Sequence, residues 1–138
     1  MIDEFVELLR RQHEAVALLE ARLRALELIV ASDEHRFLGL ALDEVESASR
    51  SLSGLELART LVLSTAGIPV DATARGLVER FGGSVDVGAD QPLPTVIAEL
   101  REGTERLSEA KRRAEAIVRD RAATSRTRID AAQAFASV

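Results

Sequence analysis

Residues 2–31 read IDEFVELLRRQHEAVALLEARLRALELIVA, and in them Phe5, Leu9, Gln12, Val16, Leu19, Leu23, Leu26 and Val30 recur at alternating steps of four and three. Seven of these eight side chains are apolar. A stripe that returns every 3.5 residues is the seam of a helix lying along another helix. The spacing predicts one helix from about Ile2 to Ala31.

Working outward, Ser32 and Asp33 interrupt the seam with side chains that favour capping a new helix over continuing the old one. An αα-hairpin follows, its second helix running from Asp33 or Glu34 to about Ala66. Leu38, Ala41, Val45, Ala48, Leu52, Leu55, Arg59, Val62 and Ala66 repeat the three-four step, broken only by Arg59. With Glu56 one turn back, Arg59 reads either as an internal ion pair or as a guanidinium that reaches solvent along its apolar stem; the second reading is preferred. Gly67 suits the left-handed position just past a helix end, and Pro69 prevents resumption.

Asp71 is placed to cap a short helix through Arg80, closed by Gly82 and Gly83. The stretch SVDVGADQPLP that follows has the Gly and Pro content of a loop. The last helix is predicted from Leu93 or Pro94 toward Phe135, through Ile97, Leu100, Leu107, Ala114 and Val118. At about 1.5 Å per residue the three main helices measure roughly 45, 50 and 60 Å, so the last overhangs its partners. The expected fold is all-α: an antiparallel bundle of three long helices, a coiled-coil-like hairpin plus a long C-terminal helix, with one short connecting helix. Residues 1–138 form a single domain of a length suited to one core.

Composition narrows the function classes. Apolar residues make up 46% and charged residues 30%, with no Trp, Tyr or Cys and four Phe, so aliphatic side chains do the packing. Without cysteine there is no disulfide framework and no thiolate chemistry. The opening MIDEFVELLRR lacks the basic-then-apolar order of a secretory signal, which makes the cytosol the expected compartment. The apolar stretch from Leu61 to Val70 is broken by Ser64, Thr65, Gly67 and Pro69 and falls short of the ~20 residues of a spanning helix. A net charge of −5 repels a phosphate backbone, so nucleic acid is not an expected partner.

That charge is uneven. Residues 119–138 hold Arg119, Arg121, Arg126 and Arg128 against Asp120 and Asp130, a balance of +2 that leaves −7 for residues 1–118. Residues 1–30 contain thirteen Leu, Ile, Val or Phe, whereas residues 119–138 contain only Ile129, Phe135 and Val138. Burying three such side chains yields about 5 to 9 kcal/mol, against a backbone ordering cost of roughly 1 to 2 kcal/mol for each residue. Residues 119–138 are therefore expected to form a C-terminal arm, mobile when free and ordered on a partner. Its apolar stripe is Val118, Ala122, Ser125, Ile129, Ala132 and Phe135, whose small members permit close approach of a client's amphipathic helix.

No catalytic residue, cofactor site or metal site is expected, and the chain does not read as an enzyme. His13 and His35 are the only histidines, and neither sits in the Glu-x-x-His spacing that aims two ligands from one helical face. His13 lies beside Gln12 and Glu14, His35 in the first turn of the second helix, and both read as solvated surface residues. Asp43, Glu44 and Glu46 read as a wetted helix face with no nucleophile beside them. Gly82-Gly83 follows a helix rather than a strand and lacks the Lys-Ser/Thr of a phosphate loop.

Three strings carry a family resemblance: EARLRALELIV at Glu20 to Val30, ASDEHRFLGLALDEVE at Ala31 to Glu46, and above all ELARTLVLSTAGIP at Glu56 to Pro69. The last resembles the E-x-x-R…G-[IL] close of the second helix in the FlgN-like flagellar export chaperones. Similarity to that family extends over nearly the whole chain and is looser from Asp71 to Pro92. It implies a cytoplasmic chaperone that binds the C-terminal helical regions of the hook-filament junction proteins FlgK and FlgL, keeps them unassembled and delivers them to the flagellar type III export apparatus. In that family the C-terminal part of the last helix binds the client, which maps onto the stripe from Val118 to Phe135. The rival reading is a self-associating coiled-coil scaffold or regulator, a homodimer in which exposed parts of the same leucine-rich seams meet a second copy.

Overall fold

The computed structural model describes the backbone of residues 2–69, 72–82 and 92–136, and the side chains within those ranges except at 74, 78, 81, 82 and 125–136. Four helices account for nearly all of it: α1 (Ile2–Ala31), α2 (His35–Thr65), α3 (Ala74–Gly82) and α4 (Pro92–Ala136). There is no strand among the described residues. The all-α bundle of three long helices and one short connecting helix is the fold that the heptad spacing predicts.

The eight-residue seam of α1 is the centre of the molecule. Phe5, Leu9, Gln12, Val16, Leu19, Leu23 and Leu26 are all buried, joined by Val6, and Val30 is half-buried at the end. Both α2 and α4 pack along α1, while the backbones of α2 and α4 hardly approach each other. Consecutive long helices are antiparallel: Arg22 pairs with Glu44 at 3.3 Å, and Glu4 and Phe5 lie near Leu61, Val62 and Ala66. The two helices that flank the chain's midpoint differ in direction, so α4 runs parallel to α1. Gly103 meets His13 and Val16, Arg106 reaches Glu20 at 3.8 Å, and Arg121 reaches Asp33 at 3.1 Å.

Because α2 has one principal partner, its seam is less buried than that of α1. Ala41, Ala48, Leu52 and Leu63 are buried; Leu38, Val45, Leu55, Arg59 and Val62 are half-buried, and Ala66 is exposed. Arg59 makes no ion pair with Glu56, consistent with its stem lying on apolar surface. On α4 the inward positions are Leu93, Val96, Leu100, Gly103, Leu107, Ala110 and Ala114, which continue the three-four step. Val118, expected on that seam, is 42% exposed, because the next inward residue is Ile117.

The hairpin turn corrects the expected cap. Asp33 has φ 58 and ends α1 rather than starting α2. The Asp33 amide donates to the Val30 carbonyl and the Glu34 amide to the Ile29 carbonyl, each at 3.3 Å, which is the paired closure that a left-handed residue provides at a helix end. Glu34 stands at the N-cap of α2 without a side-chain cap bond. At the other end of α2, Gly67 has φ 70, its amide donates to Ser64 at 3.1 Å, and the Ile68 amide donates to Leu63 at 2.8 Å. Leu63 and Ile68 are both buried, supplying the apolar contact that accompanies this closure.

The cap of α3 is likewise reassigned. Thr73 Oγ1 accepts from the Gly76 amide at 3.1 Å, whereas Asp71 lies outside the described residues. Leu77 is buried, and α3 packs on α4.

Two positions in the α1 layer depart from an aliphatic seam. Gln12 is 4% exposed and its Oε1 is buried without a hydrogen-bond partner. His13, expected in solvent, is half-buried, with its ring 3.4 Å from where a Cβ on Gly103 would sit. Gly103 of α4 thus lies directly against His13 and Val16 of α1. Replacing Gln12 with leucine removes an unsatisfied acceptor from the core and is expected to raise the unfolding free energy by about 1 kcal/mol. Gly67→Val, which forces a β-branched side chain into the left-handed region, is expected to lower it by about 1 to 2 kcal/mol. Urea unfolding of the two variants checks both signs.

Candidate functional site

Exposed large apolar side chains concentrate at one end of the bundle. Leu28 (71% exposed), Phe37, Leu40 (61%) and Leu42 lie on or beside the hairpin turn, and Val118 of α4 shares a groove wall with Leu42; Leu18, Leu57 and Leu61 are exposed elsewhere. Arg36 lies over the Phe37 ring at 4.7 Å, a cation covering an aromatic face that would otherwise meet water.

The cause is a change in α4. Up to Leu107 its seam carries leucine and valine, but from there it presents Ala110 and Ala114 to α1. Small side chains on α4 offer fewer contacts than leucine would. Farther toward the hairpin, Leu38 and Leu42 of α2, Ile29 and Val30 of α1, and Val118 and Ala122 of α4 line an open groove of about 340 Å³. Asp33, Glu34, His35, Arg121 and Thr124 form its polar rim.

Arg121 spans the end of this groove. Its guanidinium lies 3.1 Å from Asp33 Oδ1, donates to Asp33 Oδ2 at 3.2 Å, and donates to the Ala31 carbonyl at 2.9 Å. The last turn of α1 has no basic residue of its own. A cation on α4 thus meets the negative end of the α1 dipole. Two further pairs fix the helices in register: Arg22 with Glu44, and Glu20, whose side chain is 14% exposed between Arg24 at 3.0 Å and Arg106 at 3.8 Å.

Of the stripe expected to bind a client, Val118 and Ala122 are brought to the groove wall. Ser125, Ile129, Ala132 and Phe135 lie on the helical backbone of α4, and their side chains are outside the described residues. That helix continues to Ala136, which carries its axis about 22 Å past Arg121 at ~1.5 Å per residue. The hairpin residues that complete the groove were not foreseen as site residues. Their signal lies in Phe37-Leu38-Gly39-Leu40-Ala41-Leu42, which is apolar around more of the helix than one seam requires.

Among the described residues no three His, Asp or Glu side chains come together so as to hold a metal ion, and no helix is long and apolar enough to cross a membrane. What the geometry offers is an open apolar groove with a polar rim. Models of known protein families, characterised proteins and solved structures give no match to this chain.

Because Leu42 and Val118 are 47% and 42% exposed, polar replacements there are expected to change stability by no more than about 0.5 kcal/mol. Thermal unfolding of Leu42→Ser and Val118→Ser tests whether the groove wall is dispensable for folding.

Proposed function

We propose that this protein is a FlgN-like cytoplasmic export chaperone that binds the C-terminal helical regions of hook-filament junction proteins, prevents their premature assembly and hands them to the type III export gate. The observation that carries the reading is the gathering of Leu38, Leu42, Val118 and Ala122 into an open groove beside a helix that continues past the hairpin. An amphipathic client helix needs such a trough for its apolar face and a long neighbour to lie along.

The similarity of ELARTLVLSTAGIP to the family's second-helix close supports the same reading, now with a structural correlate: Gly67 ends α2 in the left-handed conformation. A delivery protein must also release its cargo. A shallow groove whose filling requires ordering of a client segment yields moderate affinity, since ordering offsets several kcal/mol of gross interaction.

The test is capture of FlgK- and FlgL-like C-terminal segments from the source organism by the intact chain and by two variants, Ala122→Glu and a chain lacking residues 125–138. Both variants are expected to fold and to lose capture at least tenfold. Loss of a dimer on deleting 125–138, with no capture by the intact chain, would instead establish the self-associating scaffold.

A further inference from the structure

The two halves of α4 are attached to the trunk by different means. The first half is held by Leu93, Val96, Leu100 and Leu107, each 7% exposed or less. The second half presents Ala110 and Ala114 and then Ile117, which is only half-buried, while Val118 beside it is 42% exposed. Beside these alanines lies a second shallow depression of about 190 Å³ lined by Leu23, Leu26, Ala114 and Val118. With the groove at the hairpin tip, it leaves α4 underpacked on both flanks where it crosses the leucines of α1.

What joins this half to the hairpin is polar. Arg121 holds Asp33 and the Ala31 carbonyl together, and both ionic partners are partly solvated, 37% and 50% exposed. Ion pairs of that exposure are weak and screened by salt. The position they occupy is nevertheless specific: a carboxylate on a left-handed residue beside the carbonyl end of a 30-residue helix. Such a site accepts a guanidinium or an ammonium from any source.

We infer that Arg121 is a displaceable latch, and that the tip groove takes an amphipathic helix carrying large apolar side chains and one basic residue, which replaces Arg121 at Asp33 and at the α1 C-terminus. This rests on the chaperone reading and deepens it by fixing the partner's charge. The exchange substitutes one cation for another at the same carboxylate and carbonyl, so no charge is left buried alone. The gain is apolar: leucine-sized side chains on the partner fill the open space between Leu38, Leu42, Val118 and Ala122. Glu34, also on the rim, has Arg36 3.6 Å away.

The experiment uses the full chain, its Arg121→Ala and Asp33→Asn variants, and a synthetic amphipathic peptide of about five helical turns with leucines at three-four spacing and a single arginine, alongside the same peptide with glutamine in place of arginine. Asparagine tolerates the left-handed conformation of residue 33, so folding is retained. Hydrogen exchange of the unliganded proteins reads the latch by itself. Amides of residues 115–124 are expected to exchange about tenfold faster in both variants, with residues 93–107 unchanged. Equal exchange in all three proteins overturns the latch whatever the chaperone reading turns out to be.

Peptide titration then reads the docking. Arg121→Ala is expected to bind the arginine peptide about tenfold more tightly than the unmutated chain, because the competitor is gone. Asp33→Asn, with its arm equally loose, is expected to bind it at least tenfold more weakly than Arg121→Ala and to ignore the change from arginine to glutamine. Weaker binding by Arg121→Ala, or equal binding of the two peptides by it, overturns the partner's charge. Faster exchange in the variants with no peptide bound by any protein overturns the docking and the chaperone reading beneath it, leaving only a structural clamp.

Discussion

One helix supplies the apolar surface on which the others depend. The seam of α1, from Phe5 to Leu26, is covered by α2 from one side and by α4 from the other, and those two barely meet. Each buried apolar side chain on such a seam contributes on the order of 1.5 to 3 kcal/mol, so the six buried apolar seam positions of α1 are a main source of core stability. The arrangement also explains the uneven burial of α2. A helix that touches chiefly one neighbour buries a narrow stripe, and the rest of its apolar residues, Leu40, Leu42, Leu57 and Leu61 among them, remain exposed.

Polar contacts set orientation and add little stability. Arg22 to Glu44, Arg106 to Glu20 and Arg121 to Asp33 are the ion pairs that join different helices among the described residues, and all have at least one substantially exposed partner. Such pairs are worth about 0 to 1 kcal/mol each; Arg106 to Glu20 and Arg121 to Asp33 mark the register of α4, and Arg22 to Glu44 that of α2. Gly103 lies on the same face of α4, next to His13 and Val16. Gln12, buried with an unpaired carbonyl oxygen in an otherwise aliphatic stripe, is the one buried polar residue of the described core.

The bundle is not closed uniformly along its length. Its trunk is closed by large side chains toward the N-terminal end of α4 and by alanines toward the hairpin tip, so packing quality declines along a single element. Local opening follows local packing, and here the alanine-bearing part of α4 lies beside the open groove at the hairpin tip. Recognition by apolar surface, with a few charges at its ends, requires neither a cofactor nor an activated side chain.

Much of this was legible in the sequence. Three-four spacing in residues 2–31 marked the core face of α1 residue by residue, and Gly67 with Pro69 marked the end of α2, because heptad seams and left-handed stops are encoded by neighbours in the chain. The dilution of large apolar residues toward the C-terminus was equally plain. Other features depended on what came to lie opposite. Val118 left the seam because the helix phase turned Ile117 inward, Asp33 became a helix stop rather than a cap, and His13 left solvent because α4 covered it. The groove itself joins residues about 80 positions apart, and its polar clasp pairs Arg121 with Asp33, 88 positions away. The sequence by itself determined which helices form and which faces of them avoid water, since those follow from local spacing. Only the tertiary structure decided which helix lies at the centre, that α4 runs parallel to α1, and where coverage fails, since these depend on the volumes of side chains that meet only after the chain has folded.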